Sequence, residues 1–283
     1  MENQETSTPQ KEQIRRVAGD LEVTDIVPEN LRDDVPVVVI PGWGETPATH
    51  TDTLNTIANL QRRAIAIKIP RLGGTRAKDG YPESEYNKAL ALIDTLDKKE
   101  IRTVDVIAHS EGAIPTIIAA LNNPRRFRGI VFVDPAGLIG EDSLIKLSAR
   151  FTGMLAKDAL RMAKAPPDVK LNMLRATREA AKSFLANPKR GVQEVNTIAA
   201  SDIYEMLIAL REIGIKVSVI HGINDSLFPI EKVLKAAGEK GGLDTIGFYS
   251  VKGDHREIST HPEKYTALAV NALETLSNKP KFN

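Results

Sequence analysis

Short apolar runs rich in valine and isoleucine alternate with helix-forming stretches along most of the chain. Each run is five or six residues long, the length of a buried strand, and the stretches between them carry apolar residues at helical spacing. The predicted strands cover residues 35–40, 64–69, 104–108, 129–133, 215–220 and 247–251. The pattern therefore predicts an α/β fold with a mostly parallel central sheet flanked by helices on both faces.

The alternation stops between residues 139 and 200. No β-branched run occurs there, and leucine and phenylalanine recur at helical spacing instead. Pro166-Pro167 and Asn187-Pro188 interrupt the pattern, which indicates two or three short helices. We expect this insertion to form a helical cap or lid above the sheet edge where the strands end. The expected organisation is a flexible N-terminal arm at 1–20, a core at 21–138 and 201–283, and the cap at 139–200.

The composition is that of an ordinary globular protein. Apolar residues make up 42% and charged residues 27% of 283 positions, and a net charge of +1 indicates neither a nucleic-acid partner nor a membrane surface. The absence of cysteine excludes a disulfide framework, a thiolate metal site and a cysteine nucleophile. No apolar run approaches the roughly 20 residues of a membrane span, and the first residues lack the apolar core of a secretory signal. We expect a cytoplasmic protein without membrane insertion, and the composition leaves its oligomeric state open.

The stretch around Ser110 carries the strongest chemical signal. An apolar run ends at Ala108, Ser110 follows, and a helix-forming stretch begins after Gly112. A strand, a tight turn and a helix in this order form a nucleophile elbow, which holds a serine hydroxyl clear of its neighbours. The turn closes only if the residues two positions before and after the serine are small, and Ala108 and Gly112 meet that condition.

Three further segments follow predicted strands, and parallel strands bring their carboxyl ends to one edge of the sheet. They are Gly42-Trp43-Gly44, a loop ending in Asp225, and a loop containing His255. A serine hydroxyl needs an imidazole to take its proton, and the imidazole needs a carboxylate to fix its tautomer. Two backbone N–H groups must also meet the oxyanion. The candidates are Ser110, His255 and Asp225 for the triad.

For the oxyanion, the candidate donors are the amides of Trp43 and Glu111. The chain resembles the α/β-hydrolase fold superfamily, and within it serine esterases and lipases with a helical cap. The similarity lies in Ala-His-Ser-Glu-Gly at 108–112, Pro-Gly-Trp-Gly at 41–44, His-Gly-Ile-Asn-Asp at 221–225 and Gly-Asp-His at 253–255. It extends over roughly residues 21–280, with the insertion in the usual lid position. The resemblance implies a serine, acid, histidine order and a reaction that needs no cofactor.

Several residues have other interpretations. Asp134 also follows a predicted strand, and some members of the superfamily place their acid there, so it competes with Asp225. Ser110 alone would more often cap a helix. His109 is expected to support the nucleophile from the side, and His221 to be structural. We expect His50 and His261 to be surface or helix-cap residues.

The insertion is expected to select the substrate. Phe151, Met154 and Leu155 suggest an adaptable apolar wall, and Gly42 and Gly44 let backbone approach the substrate. Residues 141–200 hold eleven Lys or Arg against six Asp or Glu, which we interpret as a solvated outer face of amphipathic helices. The expected reaction is hydrolysis of a small carboxylic ester with a short to medium acyl or aromatic group, through an acyl-enzyme. Ligand sensing with little turnover, and cleavage of amide or C–C bonds by the same triad, remain alternatives.

Two other site classes fit the sequence poorly. Gly42-Trp43-Gly44 imitates the start of a dinucleotide fingerprint, but Pro47 replaces the third glycine and no carboxylate follows the next predicted strand. The histidines are scattered and no His-Glu-x-x-His motif occurs, so no metal site is predicted. Serine at position 110, where dehalogenase-type enzymes carry aspartate, argues against that chemistry.

Overall fold

A computed structural model describes residues 21–73, 81–243 and 246–278. Within these ranges seven strands form one sheet. The strands are β1 Val23–Ile26, β2 Asp33–Ile40, β3 Arg62–Ile67, β4 Val104–His109, β5 Phe127–Val133, β6 Lys216–Gly222 and β7 Gly247–Val251. Their order across the sheet is β1-β3-β2-β4-β5-β6-β7, with β1 antiparallel to β3 and every other pair parallel. The prediction of a mostly parallel α/β sheet is confirmed.

Helices cover both faces of this sheet. They are α1 Thr51–Asn59, α2 Glu83–Lys98, α3 Ala113–Asn122, α4 Leu144–Lys164, α5 Pro167–Ala186, α6 Pro188–Ala199, α7 Tyr204–Glu212, α8 Ile230–Lys240, α9 Glu257–Thr260 and α10 Pro262–Asn278. Alternate residues of each strand face opposite sides. Val38 and Ile40 therefore pack in one core with residues of α2, α3, α7 and α8, while Val37 and Val39 pack in the other with α1 and α10. Burial on both sides explains why the central strands read as continuous apolar runs.

The sequence-based bounds differ from the structure in several places. Residues 139–200 were predicted to form two or three short helices. The structure has three helices there, but two of them are long, with 21 and 20 residues. Strand β3 begins two residues earlier than predicted. β1 was not predicted, because its half-exposed edge position supports only a four-residue strand with a weak pattern. The predicted arm at 1–20 lies outside the described residues.

One further expectation concerns membranes. Across the described ranges, no helix combines the length and the apolar character needed to cross a bilayer.

Candidate active site

The turn after β4 holds Ser110 in a strained backbone conformation. Ser110 has a φ of 51°, in the left-handed region that is costly for residues other than glycine. The turn fits against the end of β2 because Gly112 lacks a side chain: a Cβ there would lie 2.7 Å from the carbonyl oxygens of Ile40 and Pro41. A side chain at Gly42 would likewise lie 2.9 Å from Ser110 Cβ. The small residue that the elbow pattern requires after the serine therefore has a direct steric reason.

The three predicted triad side chains lie in one hydrogen-bonded row. Ser110 Oγ is 3.0 Å from His255 Nε2, and His255 Nδ1 is 2.8 Å from Asp225 Oδ2. All three residues are buried, at 6%, 5% and 3% exposure. Ser110 makes no side-chain helix-capping bond, so its hydroxyl is directed to the imidazole instead. A serine, an imidazole and a carboxylate at these distances have the geometry for nucleophilic catalysis.

The loop after β6 fixes the orientation of Asp225. Its Oδ1 accepts hydrogen bonds from the amides of Leu227 at 2.7 Å and Phe228 at 2.9 Å, which leaves Oδ2 for His255. Burial disfavours the charged carboxylate, but the His255 ring and these donors outweigh burial and lower the pKa of Asp225. Asp225 is therefore held as an anion behind the imidazole.

Asp134, the alternative acid, occupies a different position at the end of β5. Its Oδ1 accepts from the Gly222 amide at 2.8 Å, and the structure records no hydrogen bond between its carboxyl group and His255. Its Oδ2 is buried without a hydrogen-bond partner among the described residues. Burial and the nearby charge of Asp225 raise the pKa of Asp134, which favours the neutral acid. The two carboxyl groups thus differ in their contacts and in the direction in which their pKa values are shifted.

The turn after β2 lies directly against Ser110. Gly42 and Trp43 line the same cavity as the serine hydroxyl, and Gly44 has a φ of 74°. Gly44 does not line that cavity: a Cβ on it would lie 3.0 Å from Ala180 Cα, so α5 packs directly against this turn. Gly44 and Glu111 border a smaller polar cavity behind the turn.

The Trp43 side chain points away from the sheet towards α4–α6. Its ring makes edge contacts with Phe151 at 5.6 Å and Phe184 at 6.3 Å between centroids. Its Nε1 donates to Glu194 Oε2 at 2.9 Å, and Glu194 is also paired with Arg71. Trp43 therefore lines the cavity beside Ser110 and connects the turn after β2 to the helices α4–α6.

A cavity of about 510 Å³ opens directly above Ser110 and His255. Its wall is mostly apolar and comes from all three inserted helices: Phe151, Met154 and Leu155 of α4, Ala176, Ala180 and Phe184 of α5, and Val195 and Ile198 of α6. Volumes of about 300–1,000 Å³ with a few convergent polar groups are usual for small-molecule sites. The three residues predicted to form an apolar wall lie in this wall.

Two ion pairs join the loop that carries His255 to α4. Arg256 donates to Asp158 Oδ2 at 3.0 Å, in a pair that is almost fully buried. On the other side of His255, Asp254 pairs with Arg161, one helical turn beyond Asp158. Removing one partner of a buried pair typically costs about 3–5 kcal/mol, so this loop and this helix are held together firmly.

A group of buried charges surrounds the side chain of Glu111. Lys88, which is 1% exposed, donates to Glu111 and to Glu85. Burial and the charges of Glu85 and Glu194 raise the pKa of Glu111 to about 7, against the opposing effect of Lys88. The side chain of Glu111, which follows the nucleophile in the chain, is therefore held among buried charges and is not a solvated residue of the helix start.

The sequence did not identify Glu45, and it did not predict that His50 is buried. His50 occupies the N-cap position of α1, as one of the two expectations allowed, but it is completely buried and makes no side-chain capping bond; its Nε2 lies 3.0 Å from Glu45 Oε2. Glu45 also contacts His109 Nδ1 at 2.9 Å. His221 is structural, with Nε2 donating to the Phe228 carbonyl at 2.9 Å. No spacing rule links Glu45 to histidines 5 and 64 positions away, so only the folded chain reveals this cluster.

Within the described ranges, three overlapping groups of side chains bring enough ligand atoms together to be tested as metal sites. The atoms of Glu45, His50 and His109 lie within 4.8 Å of one another. The Glu45 oxygen that faces both rings already accepts hydrogen bonds from them. The other groups combine Asp134 with triad residues. Hydrogen bonding accounts for the contacts of this Glu45 oxygen, and no step below depends on a metal.

No family model matches the sequence. A protein of Mycobacterium phage D29, provisionally named a non-heme haloperoxidase, is 24% identical over 250 residues, which cover 84% of this chain and 87% of that protein.

Solved structures resemble the whole fold. An esterase from Thermogutta terrifontis has a TM-score of 0.67 at 15% identity and covers 96% of this chain and 97% of its own. A bromoperoxidase from Bacillus anthracis has a TM-score of 0.65 at 18% identity, with 90% and 96% covered. At this identity such matches establish the fold alone, and the fold is the α/β-hydrolase fold.

Proposed function

We propose that this protein is a serine hydrolase that cleaves small carboxylic esters through an acyl-enzyme intermediate. The observation that carries the proposal is the row from Ser110 Oγ through His255 to Asp225, at 3.0 and 2.8 Å, beneath an apolar cavity. Fold similarity alone does not assign an activity, because one fold hosts many chemistries. The arrangement of these side chains provides the support.

The first half of the proposed reaction forms the acyl-enzyme. His255 Nε2 takes the proton as Ser110 Oγ attacks the ester carbonyl carbon, and Asp225 stabilises the resulting imidazolium. The amides of Trp43 and Glu111 are the proposed donors to the oxyanion, and loss of one such donor typically costs about 2.7–4 kcal/mol. His255 then gives its proton to the departing alcohol oxygen, which leaves the acyl group on Ser110.

The second half repeats these steps with water. Water gives a proton to His255 and attacks the acyl carbon, the C–Oγ bond breaks, and Ser110 recovers its proton. The carboxylic acid leaves through the cavity. Because the wall is apolar and contains Phe151 and Met154, uncharged acyl or aromatic groups of short to medium length fit it best. We propose that the α4–α6 segment is the cap that selects them.

Pre-steady-state kinetics of Ser110→Ala test this proposal. With an activated p-nitrophenyl ester, the wild-type protein should release a burst of nitrophenol and then turn over many times. Ser110→Ala should lose the burst, and its kcat should fall by at least about 1,000-fold. Ser250→Ala removes a hydroxyl from an exposed position on β7 and serves as the matched control. An undiminished burst in Ser110→Ala would exclude this nucleophile, and a single turnover by the wild-type protein would favour the sensing alternative.

The names of two similar proteins supply a second candidate, peroxide-dependent halogenation. The same variant tests it with bromide, hydrogen peroxide and a dye whose bromination is measured by absorbance. Bromination that exceeds ester turnover and is unchanged in Ser110→Ala would place halogenation above ester hydrolysis.

A further inference from the structure

Glu45 lies where several parts of the site meet. Its Oε2 accepts hydrogen bonds from the Gly42 amide at 2.7 Å, from His109 Nδ1 at 2.9 Å and from His50 Nε2 at 3.0 Å. Ser259 Oγ lies 3.4 Å from its Oε1. One carboxylate therefore contacts the turn proposed to bind the oxyanion, the residue before the nucleophile and helix α9.

Both ring nitrogens of His109 face acceptors. Nδ1 faces the Glu45 carboxylate, and Nε2 lies 2.8 Å from the backbone carbonyl oxygen of His255. A carbonyl has no proton to donate, and a carboxylate has none either, so each contact requires an N–H on the ring. A neutral imidazole carries a single N–H, and the complete set of contacts therefore requires the imidazolium.

We propose that Glu45 and the His109 imidazolium are positioning residues of this site. Their ion pair ties together the Gly42–Trp43 turn, the Ser110 elbow and the His255 loop. Neither side chain exchanges a proton with the substrate, and both act through the groups that they hold. This inference rests on the proposed ester-hydrolase function for its kinetic consequences, but not for the protonation state itself.

The groups that face His109 favour its charge. Burial disfavours the imidazolium, but Glu45 and the more distant Asp134 outweigh burial and raise the pKa of His109 to about 9. Burial also opposes ionisation of Glu45, while the rings of His109 and His50 hold the pKa of that carboxyl well below its usual range. His255 and His50 are the other titratable rings packed against His109 in the described structure, at 5.1 and 6.3 Å between centroids.

The substitution Glu45→Gln removes the negative charge of this side chain and keeps its size and shape. An amide oxygen can still accept from the Gly42 amide, but the negative charge that stabilises the imidazolium is gone. The buried ring then stays neutral and loses one of its two N–H groups, which releases either residue 45 or the His255 carbonyl. At pH 7.5 we expect kcat to fall about 10- to 100-fold, because misplacing a reacting group by an ångström costs on the order of 100-fold. KM should change much less, since the apolar wall from α4–α6 is untouched.

The pH dependence of the fall in kcat of Glu45→Gln distinguishes a positioning role of Glu45 from a packing defect. Because the pKa of His109 in the folded protein is raised to about 9, the ion pair is present at pH 7 to 8 and is lost as pH rises through about 9; its contribution to stability is complete below pH about 6.5. The wild-type protein should therefore lose the same contact in alkali, and the ratio of wild-type to variant activity should approach one near pH 10. Glu212→Gln, at an exposed position on α7, should match the wild type at every pH. A deficit that stays constant from pH 7 to 10 would overturn the proposal.

Imidazole ¹⁵N–¹H spectra provide a measurement that does not depend on turnover. The chain has five histidines, and His109→Gln assigns the signals of interest. At pH 8 the wild-type protein should show two N–H signals from His109, and folded Glu45→Gln should show one. A single signal in the wild type would refute the inference even if Ser110 is the nucleophile. Full activity of Ser110→Ala would instead refute the proposed function and leave the two-signal result standing.

Discussion

Replacing Asp225 by asparagine should reverse the tautomer of His255, and the structure shows why. The amides of Leu227 and Phe228 both donate to Oδ1, at 2.7 and 2.9 Å. In Asp225→Asn these donors require the amide oxygen at that position, which places the NH₂ group where Oδ2 now faces His255 Nδ1. An NH₂ group donates, so Nδ1 must accept, and the ring proton moves to Nε2. His255 then presents an N–H to Ser110 and has no lone pair to take the hydroxyl proton.

The size of the loss follows from this geometry. The equivalent change in a serine-protease triad lowers kcat by about 10⁴, because the wrong tautomer is present although the structure is intact. Four factors of ten correspond to about 5.4 kcal/mol of transition-state stabilisation. We expect a similar drop in kcat for Asp225→Asn, with KM nearly unchanged because the cavity wall is unaltered. Stopped-flow release of nitrophenol gives the rate of acylation, and circular dichroism confirms the fold.

Asp134→Asn is the matched control for this experiment. Asp134 is buried near the site, but burial and the charge of Asp225 raise its pKa and its hydrogen bond is to the Gly222 amide. Its substitution should change kcat by less than about threefold. A carboxyl whose pKa is raised on folding destabilises the protein as pH rises above its ordinary value of 3.8, so Asp134→Asn should gain Tm relative to the wild type with increasing pH. The assignment is refuted if Asp225→Asn stays within tenfold of the wild type while Asp134→Asn loses more.

Two further predictions concern the elbow and the cavity. Gly112→Ala should lower the free energy of unfolding by about 1–3 kcal/mol and reduce activity, because its Cβ would meet two backbone carbonyl oxygens at 2.7 Å. Gly238→Ala, in the open surface of α8, should be neutral or stabilising in the same thermal-unfolding assay, and equal behaviour of the two variants would contradict the steric argument. In a p-nitrophenyl ester series, kcat/KM should favour short to medium acyl chains, and Ala176→Leu should narrow the cavity and penalise the longer ones most. A flat series for both proteins would show that this wall does not select the substrate.

The sequence predicted the parts of the fold that depend on local pattern. Strands buried on both faces are apolar at every position, so β2, β4 and β5 stand out in the sequence. The elbow also has a local signature, because Ser110 must be flanked by small residues for the turn to close. β1 lacks such a signature, since its half-exposed edge position makes no strong demand on residue type.

The supporting contacts of the site could not be predicted in the same way. The choice between Asp225 and Asp134 depends on which carboxyl faces His255 Nδ1, and both follow strands whose ends lie at the same edge of the sheet. Glu45 and His109 come together only through the register of β2 and β4. Long-range pairs of this kind leave no recognisable pattern in the sequence. The residue types that the proposed reaction requires after the strands can be recognised there.

The charged residues on either side of His255 connect two segments that are distant in the sequence, the His255 loop and helix α4. Asp254 pairs with Arg161 of α4, and Arg256 pairs with Asp158 of the same helix. An outward movement of α4 would therefore either break both ion pairs or displace His255. The ion pairs that hold α4 over the cavity thus also hold the His255 loop beside Ser110. Opening of the cavity and the proposed role of His255 as the base consequently depend on the same four side chains.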